Sequence, residues 1–263
     1  MNRSIARLAV AGLSILAMGA AKPPSGHVNF VACPILRDTK TVPCWLAEFQ
    51  GKTYFLILQV DATAEVYPPY LGHKALIEGV VSGEPDFCGG VVLKPIKISV
   101  IPDLDPTCNT MLPAEDRFQA PNAPRGPGPR YQRQTYGPPP GAPRAPDGAL
   151  ATGPRDFTVY YDFDSELGSR SLAAMQQAAA YAAASKAGHV RVVGHRASSL
   201  LSDGARAEEP EGLARRRAER LGDTLRQIGV PATAISVSWQ TRADAGNGAD
   251  DYKLRRAVIT VSP

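Results

Sequence analysis

Cysteines, a histidine beside serines, a run of arginines and two groups of carboxylates are the residues here that could do chemistry. Cys33, Cys44, Cys88 and Cys108 follow one another at spacings of 11, 44 and 20, with no C-x-x-C pair. No zinc-ligand pattern has that spacing. An even number of cysteines in the first half of an exported chain points instead to two disulfides. Four cysteines allow three pairings. Joining sequence neighbours, Cys33 with Cys44 and Cys88 with Cys108, closes the shortest loops and is the preferred arrangement. Ser198, His195 and Asp203 have the residue types of an acyl-transfer triad. No Gly-x-Ser-x-Gly elbow and no second histidine with supporting spacing accompany them, so the chain reads as non-enzymatic, with no cofactor and no metal called for.

The elements that must position these residues fall into three blocks. Residues 22–112 alternate Val, Ile, Phe and Tyr runs with Gly, Pro and Asp punctuation, which predicts a small all-β domain, either a five-stranded barrel or a sandwich. Trp45–Gln50 and Thr53–Gln59 form a hairpin around Gly51-Lys52, and Ala75–Val81 and Val91–Ile101 give further strands, Pro95 marking an edge or a bulge. Tyr67 and Tyr70, in a Tyr-Pro-Pro-Tyr stretch, read either as a contact surface or as a Pro-stiffened loop. Residues 113–154 hold 11 Pro and 6 Gly with Arg125, Arg130, Arg133 and Arg144 between them. Such a segment buries too little apolar surface to offset its ordering entropy and reads as a disordered spacer, roughly 130 Å long if fully extended.

Residues 155–263 alternate strand and helix signals in the order β-α-β-α-β-β, so the chain as a whole is α+β. The strands are Phe157–Phe163, His189–Gly194, Ile235–Gln240 and Arg255–Val261. One helix runs over Ser169–Ala187, with Ser169 as N-cap and Gly188 as stop. The other runs over Leu213–Ile228, with Ala218, Leu221, Leu225 and Ile228 on its apolar face and Gly229 and Pro231 beyond it.

Export is written at the N-terminus. Arg3 and Arg7 precede the apolar run Leu8–Ala21, which ends in small residues, as a secretory signal peptide does, with cleavage after Ala21. The run is too short to span about 30 Å of hydrocarbon, no cysteine follows it for a lipid anchor, and no later stretch could span a membrane. Those two arginines carry half of the formal net charge of +4. What is left has no concentrated basic patch, which argues against a nucleic-acid partner.

Four stretches of the last block, in this order, resemble the OmpA-like C-terminal domain, a periplasmic peptidoglycan-associating module. They are Val159-Tyr160-Tyr161-Asp162-Phe163-Asp164-Ser165, Val190-Arg191-Val192-Val193-Gly194-His195, Leu213-Ala214-Arg215-Arg216-Arg217-Ala218 with Leu225 and Ile228-Gly229, and Arg255-Arg256-Ala257-Val258-Ile259. The resemblance implies a two-layer α/β sandwich and a ligand, the diaminopimelate of a peptidoglycan stem peptide. An arginine on the second helix grips its carboxylate and an aspartate after the Gly-His pair accepts from its ammonium. Carried over, Arg217 takes the arginine position, and Asp164, Phe163, Leu213 and His195 line the pocket. The rival reading of Arg217 is one member of the surface run Arg215, Arg216, Arg217 and Arg220.

The chain also departs from the family. Gly194-His195-Arg196-Ala197 stands where Gly-His-Thr-Asp is usual, so the ammonium acceptor is Ala197, a loss on the order of 2 kcal/mol or thirtyfold in affinity. The loop before Leu213 is longer and carries Asp203, Glu208, Glu209 and Glu211, Pro210 replaces an asparagine, and Leu254 replaces another. One of those acids folds back to replace the missing one, or all four form a solvated face. Arg256 reads as structural. The leading expectation is a periplasmic envelope protein, with or without a peripheral hold on the outer membrane. It would bind peptidoglycan through a degenerate OmpA-like domain and project its disulfide-linked β domain toward an envelope protein partner. The alternative is an interaction or assembly factor whose OmpA-like fold has lost wall binding.

Overall fold

A computed structural model describes residues 22–59, 67–118, 153–168 and 171–263. The expected signal peptide, nearly all of the Pro-rich stretch and the expected cap residue Ser169 lie outside the described residues.

The N-terminal block is one seven-stranded sheet: β1 (His27–Ala32), β2 (Pro34–Arg37), β3 (Cys44–Phe49), β4 (Lys52–Leu58), β5 (His73–Val81), β6 (Val91–Leu104) and β7 (Thr110–Leu112). Its order is β1-β5-β6-β4-β3-β2-β7. The sheet curls, so that Phe30 of β1 stacks on Phe49 of β3 at 4.8 Å and meets Tyr54 of β4 at 5.2 Å between ring centroids. The five strands expected become seven because β2 and β7 are too short to show a period. The hairpin turn sits one residue earlier than its sequence suggests: Gln50 and Gly51 both have positive φ and Phe49 faces Lys52. That is the geometry a two-residue turn needs to follow the strand twist. Pro95 does mark a bulge, where Lys94 and Pro95 of β6 oppose Val80 alone of β5.

The disulfides are Cys33–Cys108 and Cys44–Cys88, with Cα separations of 4.8 and 6.5 Å, and not the sequence-neighbour pairing. Sheet order decides this. Cys33 leads into β2 and Cys108 into β7, which pairs with β2 in parallel. Loops of 75 and 44 residues remove more unfolded-state entropy than the short loops expected, about 4 kcal/mol each against about 3 on a chain-entropy estimate.

The C-terminal block has a four-stranded sheet of order β12-β9-β14-β8, from β8 (Arg155–Tyr160), β9 (His189–Gly194), β12 (Ile235–Trp239) and β14 (Arg256–Ser262). Helices α1 (Leu172–Ser185) and α2 (Leu213–Gln227) cover one face. Their buried residues Met175, Ala178, Ala182, Ala218, Leu221 and Leu225 pack on Val159, Val190, Val192, Ala257, Ile259 and Val261, alternate positions of three strands. Ile228, expected on the apolar face, is the C-cap of α2 and exposed. Helix α1 stops at Lys186, itself in the left-handed region, two residues before Gly188.

A second, three-stranded sheet had no sequence signal: β10 (Ala197–Leu200), β11 (Arg206–Glu208) and β13 (Asp244–Ala245). All four residues of β10 are buried because it is packed on both sides. On its outer side lies the N-terminal domain. Asn29, almost fully buried, donates from Nδ2 to the carbonyls of Leu200 and Gly248 at 3.1 and 2.8 Å, and its backbone N–H donates to Ser202 Oγ. Leu76 of β5 packs with Phe163 and Leu201. The β domain is therefore docked on the C-terminal domain, not held away from it as the spacer had suggested.

Candidate functional site

The site begins where α2 meets the end of β9. A Cβ at Gly194 would lie 2.0 Å from the Ala214 carbonyl oxygen, so only glycine lets the first turn of α2 rest on the strand. One turn further, Arg217 lies on the buried stripe of α2 between Ala214 and Leu221 and is 0 % exposed. It is no member of a surface run: Arg215, Arg216 and Arg220 are exposed and pair with Glu219 or Glu166.

All five guanidinium donors of Arg217 are used. Nε donates to the Ser165 carbonyl at 2.8 Å, Nη1 to the His195 carbonyl at 3.0 Å and Nη2 to the Asp162 carbonyl at 3.3 Å. The two remaining N–H groups grip one carboxylate in a fork, Nη1 to Glu209 Oε2 at 2.8 Å and Nη2 to Oε1 at 2.6 Å. The Tyr161 ring lies 4.6 Å from the guanidinium carbon, and burial pushes the Tyr161 hydroxyl up to about 12.

Glu209 is as well held as its partner. Besides the fork, Oε1 accepts the Asp164 N–H at 3.0 Å and Oε2 the Ala197 N–H at 2.8 Å, and the Glu209 side chain is fully buried. The arrangement is a carboxylate cradle made of one guanidinium and two backbone N–H groups. Of the four loop acids, then, one does fold back, its carboxylate resting on the Arg217 fork and on the Ala197 N–H. Asp203 receives the Ala205 N–H, Glu208 pairs with Arg196 at 2.7 Å, and Glu211 is exposed.

The other expected site residues are scattered around this pair. Asp164, with φ of +55°, presents its N–H to Glu209, while its side chain joins Leu213, Arg216 and Arg220 around a cavity of about 390 Å³ beside the pair. Partial burial, and then the negative charge of Glu209, push the Asp164 carboxyl above its ordinary range. Leu213 is buried at the head of α2. Phe163 points away, into the contact with Leu76 and Leu201 of the domain interface. His195 contributes its carbonyl, and its ring Nδ1 lies 3.1 Å from Asp244 Oδ2, which Arg256 also meets at 3.2 Å. Burial, reinforced by Arg256, lowers the His195 pKa. The triad types are not assembled: the carboxylate beside His195 is Asp244, Asp203 closes a turn, and Ser198 Oγ accepts from Arg206 at 3.5 Å.

Arg255, the neighbour of Arg256, is among the described residues the most deeply buried arginine after Arg217. It lies 1 % exposed and donates from Nη1 to Glu78 Oε1 at 3.1 Å and to Ser199 Oγ at 2.9 Å, while Nη2 pairs with Glu78 Oε2. Glu78 belongs to β5, so this ion pair fastens the N-terminal domain to the C-terminal one. The available signal was an isolated acid in the otherwise apolar core run of β5, Ala75–Val81. Among the described residues no group of three His, Cys, Asp or Glu could hold a metal, and no helix is long and apolar enough to cross a membrane.

The fold and site together define an α+β protein in which a disulfide-bonded curled sheet is docked on a helix-covered sheet with a buried arginine–carboxylate centre. No family model matches the chain, and no curated protein matches it. Among solved structures it is similar to the OmpA-like domain of FopA1 from Francisella tularensis subsp. tularensis SCHU S4. The TM-score is 0.33 at 17% identity, over 41% of this chain and 72% of that one.

Proposed function

We propose that this is a non-enzymatic protein of the periplasm that works as an envelope interaction or assembly module, its C-terminal domain an OmpA-like domain whose wall-binding grip is closed. One observation carries the reading: the guanidinium fork of Arg217, which the resemblance assigns to a stem-peptide carboxylate, is filled by Glu209 of the same chain. A stem peptide entering that fork would have to displace a carboxylate with four hydrogen bonds, tethered at an effective concentration of about millimolar or above. Ala197 offers no acid to the ammonium in return.

Cosedimentation of the mature chain, Lys22 to Pro263, with diaminopimelate-type sacculi tests it. The expected result is protein in the supernatant, before and after Arg217→Ala. Sedimentation that Arg217→Ala abolishes would overturn it in favour of standing wall binding through Arg217, Asp164 and Leu213. That second reading has one observation on its side, a cradle with four donors already aimed at a carboxylate.

A further inference from the structure

We propose that Glu209 is a displaceable internal ligand, and that docking of the N-terminal domain on the β10–β11 hairpin is what keeps it in the cradle. The inference rests on the reading above that the cradle of Arg217 is the seat of a ligand carboxylate, and it adds how that seat is opened.

The chain of contacts is short and continuous. Glu209 directly follows β11, whose Glu208 pairs in register with Ser198 of β10. The Glu209 N–H donates to the Ala197 carbonyl at 3.0 Å, while the Ala197 N–H donates to the Glu209 carboxylate at 2.8 Å. Whatever fixes β10 therefore fixes Glu209. Two residues of β10, Ser199 and Leu200, and Ser202 just beyond it, are fixed from outside the hairpin. Ser199 Oγ donates to Glu78 of β5 at 3.1 Å and accepts from Arg255 at 2.9 Å. The Leu200 carbonyl accepts from Asn29 of β1, and the Ser202 N–H donates to the Asn29 carbonyl at 2.8 Å. The hairpin is thus gripped at one end by the N-terminal domain and at the other by Arg217, with β13 beside β10 and Asp251 accepting the Leu200 N–H at 2.8 Å between them.

Removing the N-terminal domain would take away Asn29 and Glu78 together with the apolar cover of Leu201, leaving β10 and β11 with the two-residue strand β13, Asp251 and Arg255 as their remaining support, a small sheet close to the size that is marginal in water. Its opening withdraws Glu209 and presents Arg217, the Ala197 N–H and the Asp164 N–H to an incoming carboxylate. By reciprocity, a carboxylate bound there disfavours the docked domain by the same factor. A protein that captures the β1–β5 face would open the site from the other side.

Amide hydrogen exchange on the mature chain reads the latch, because the Ala197 and Asp164 N–H groups both end on Glu209. Glu78→Ala is expected to speed exchange at both by roughly 5- to 150-fold, the usual size of a site-to-site coupling, with Val192 in the core of β9 unchanged. Unchanged rates at Ala197 and Asp164, or an equal rise at Val192, overturn the coupling.

Glu209→Ala in the same chain tests the internal ligand. Acetate is expected to raise its melting temperature selectively over chloride at equal ionic strength, with no such effect on the unmutated chain. No acetate effect overturns the proposal. If that variant does not fold, Glu209→Gln, which keeps the shape and loses the charge, must still speed exchange at Ala197 and Asp164, and failure to do so overturns it equally. Free diaminopimelate then separates the two readings. Rescue of Glu209→Ala by acetate but not by diaminopimelate leaves the internal ligand standing and removes the stem peptide as the natural occupant.

Discussion

The two most deeply buried arginines among the described residues make an instructive pair. Arg217 and Arg255 are both essentially without solvent exposure, and each holds a glutamate in a two-nitrogen fork. Arg217 spends all five donors, three on carbonyls that fix its plane and two on Glu209 from the same domain. Arg255 reaches across to Glu78, 177 residues away, and among the described residues its Nε has no hydrogen-bond partner. A guanidinium that is fully oriented before its carboxylate arrives has the geometry of a receptor. One that is completed only by a neighbouring domain, with a donor left over, has the geometry of a fastener.

The largest expected effect separates these two designs. Arg217→Ala leaves the Glu209 carboxylate buried with only two backbone donors and should cost about 3–5 kcal/mol, a fall in melting temperature on the order of 10 °C. Replacing both partners, Arg217→Met with Glu209→Leu, should recover part of that loss: the uncompensated charge is gone, while three carbonyls and two backbone N–H groups still lack their partners. A double variant no more stable than Arg217→Ala would show that the cradle carries structure beyond its charge pair. Glu78→Ala is expected to cost less, about 2 kcal/mol, since undocking lets Arg255 regain water. Small-angle scattering should then report a larger radius of gyration while both disulfides persist. A compact Glu78→Ala chain would mean that Asn29 and Leu76 hold the domains by themselves.

The same contrast explains what could be read from the sequence. Helix α2 and the strands β9 and β14 were legible because their apolar periods face a single core, and Arg217 was legible as a candidate by its place on that helix. Its neighbours Arg215, Arg216 and Arg220 hid the difference, since residue type alone does not separate a buried guanidinium from three solvated ones. The strand β10, Ala197-Ser198-Ser199-Leu200, was invisible: packed on both sides and half polar, it has neither a helix nor a strand period. Glu209 was one of four acids in a loop, and only tertiary packing singles it out. The disulfides were misassigned for a related reason. Loop length favours sequence neighbours, but the crossover order of the sheet sets which cysteines meet. The docking of the two domains rests on Asn29 and Glu78, polar positions in otherwise ordinary strands, so a chain read locally shows a spacer and no interface.

Asp164 gives the smallest effect and the finest test of the receptor. Its N–H helps to hold Glu209, while its own carboxylate sits close enough to be pushed above its ordinary pKa, first by partial burial and then by the charge of Glu209. An acid whose folded pKa lies above the unfolded value holds its proton more tightly in the native state. Its contribution to stability therefore falls as pH rises from the ordinary aspartate value through the folded one, and remains unfavourable above it. Asp164→Asn keeps the backbone donor, and asparagine tolerates the positive φ that Asp164 adopts. It should therefore stabilise the chain at neutral pH, by less than about 1 kcal/mol because the group is only partly buried and solvent screens it. The gain should vanish once the pH drops below the unfolded aspartate value, near 4. Denaturant melts of the two chains at pH 7 and pH 3 measure this directly. A loss of stability at pH 7 would mean that the Asp164 carboxylate is held by Arg216 and Arg220 more strongly than Glu209 repels it.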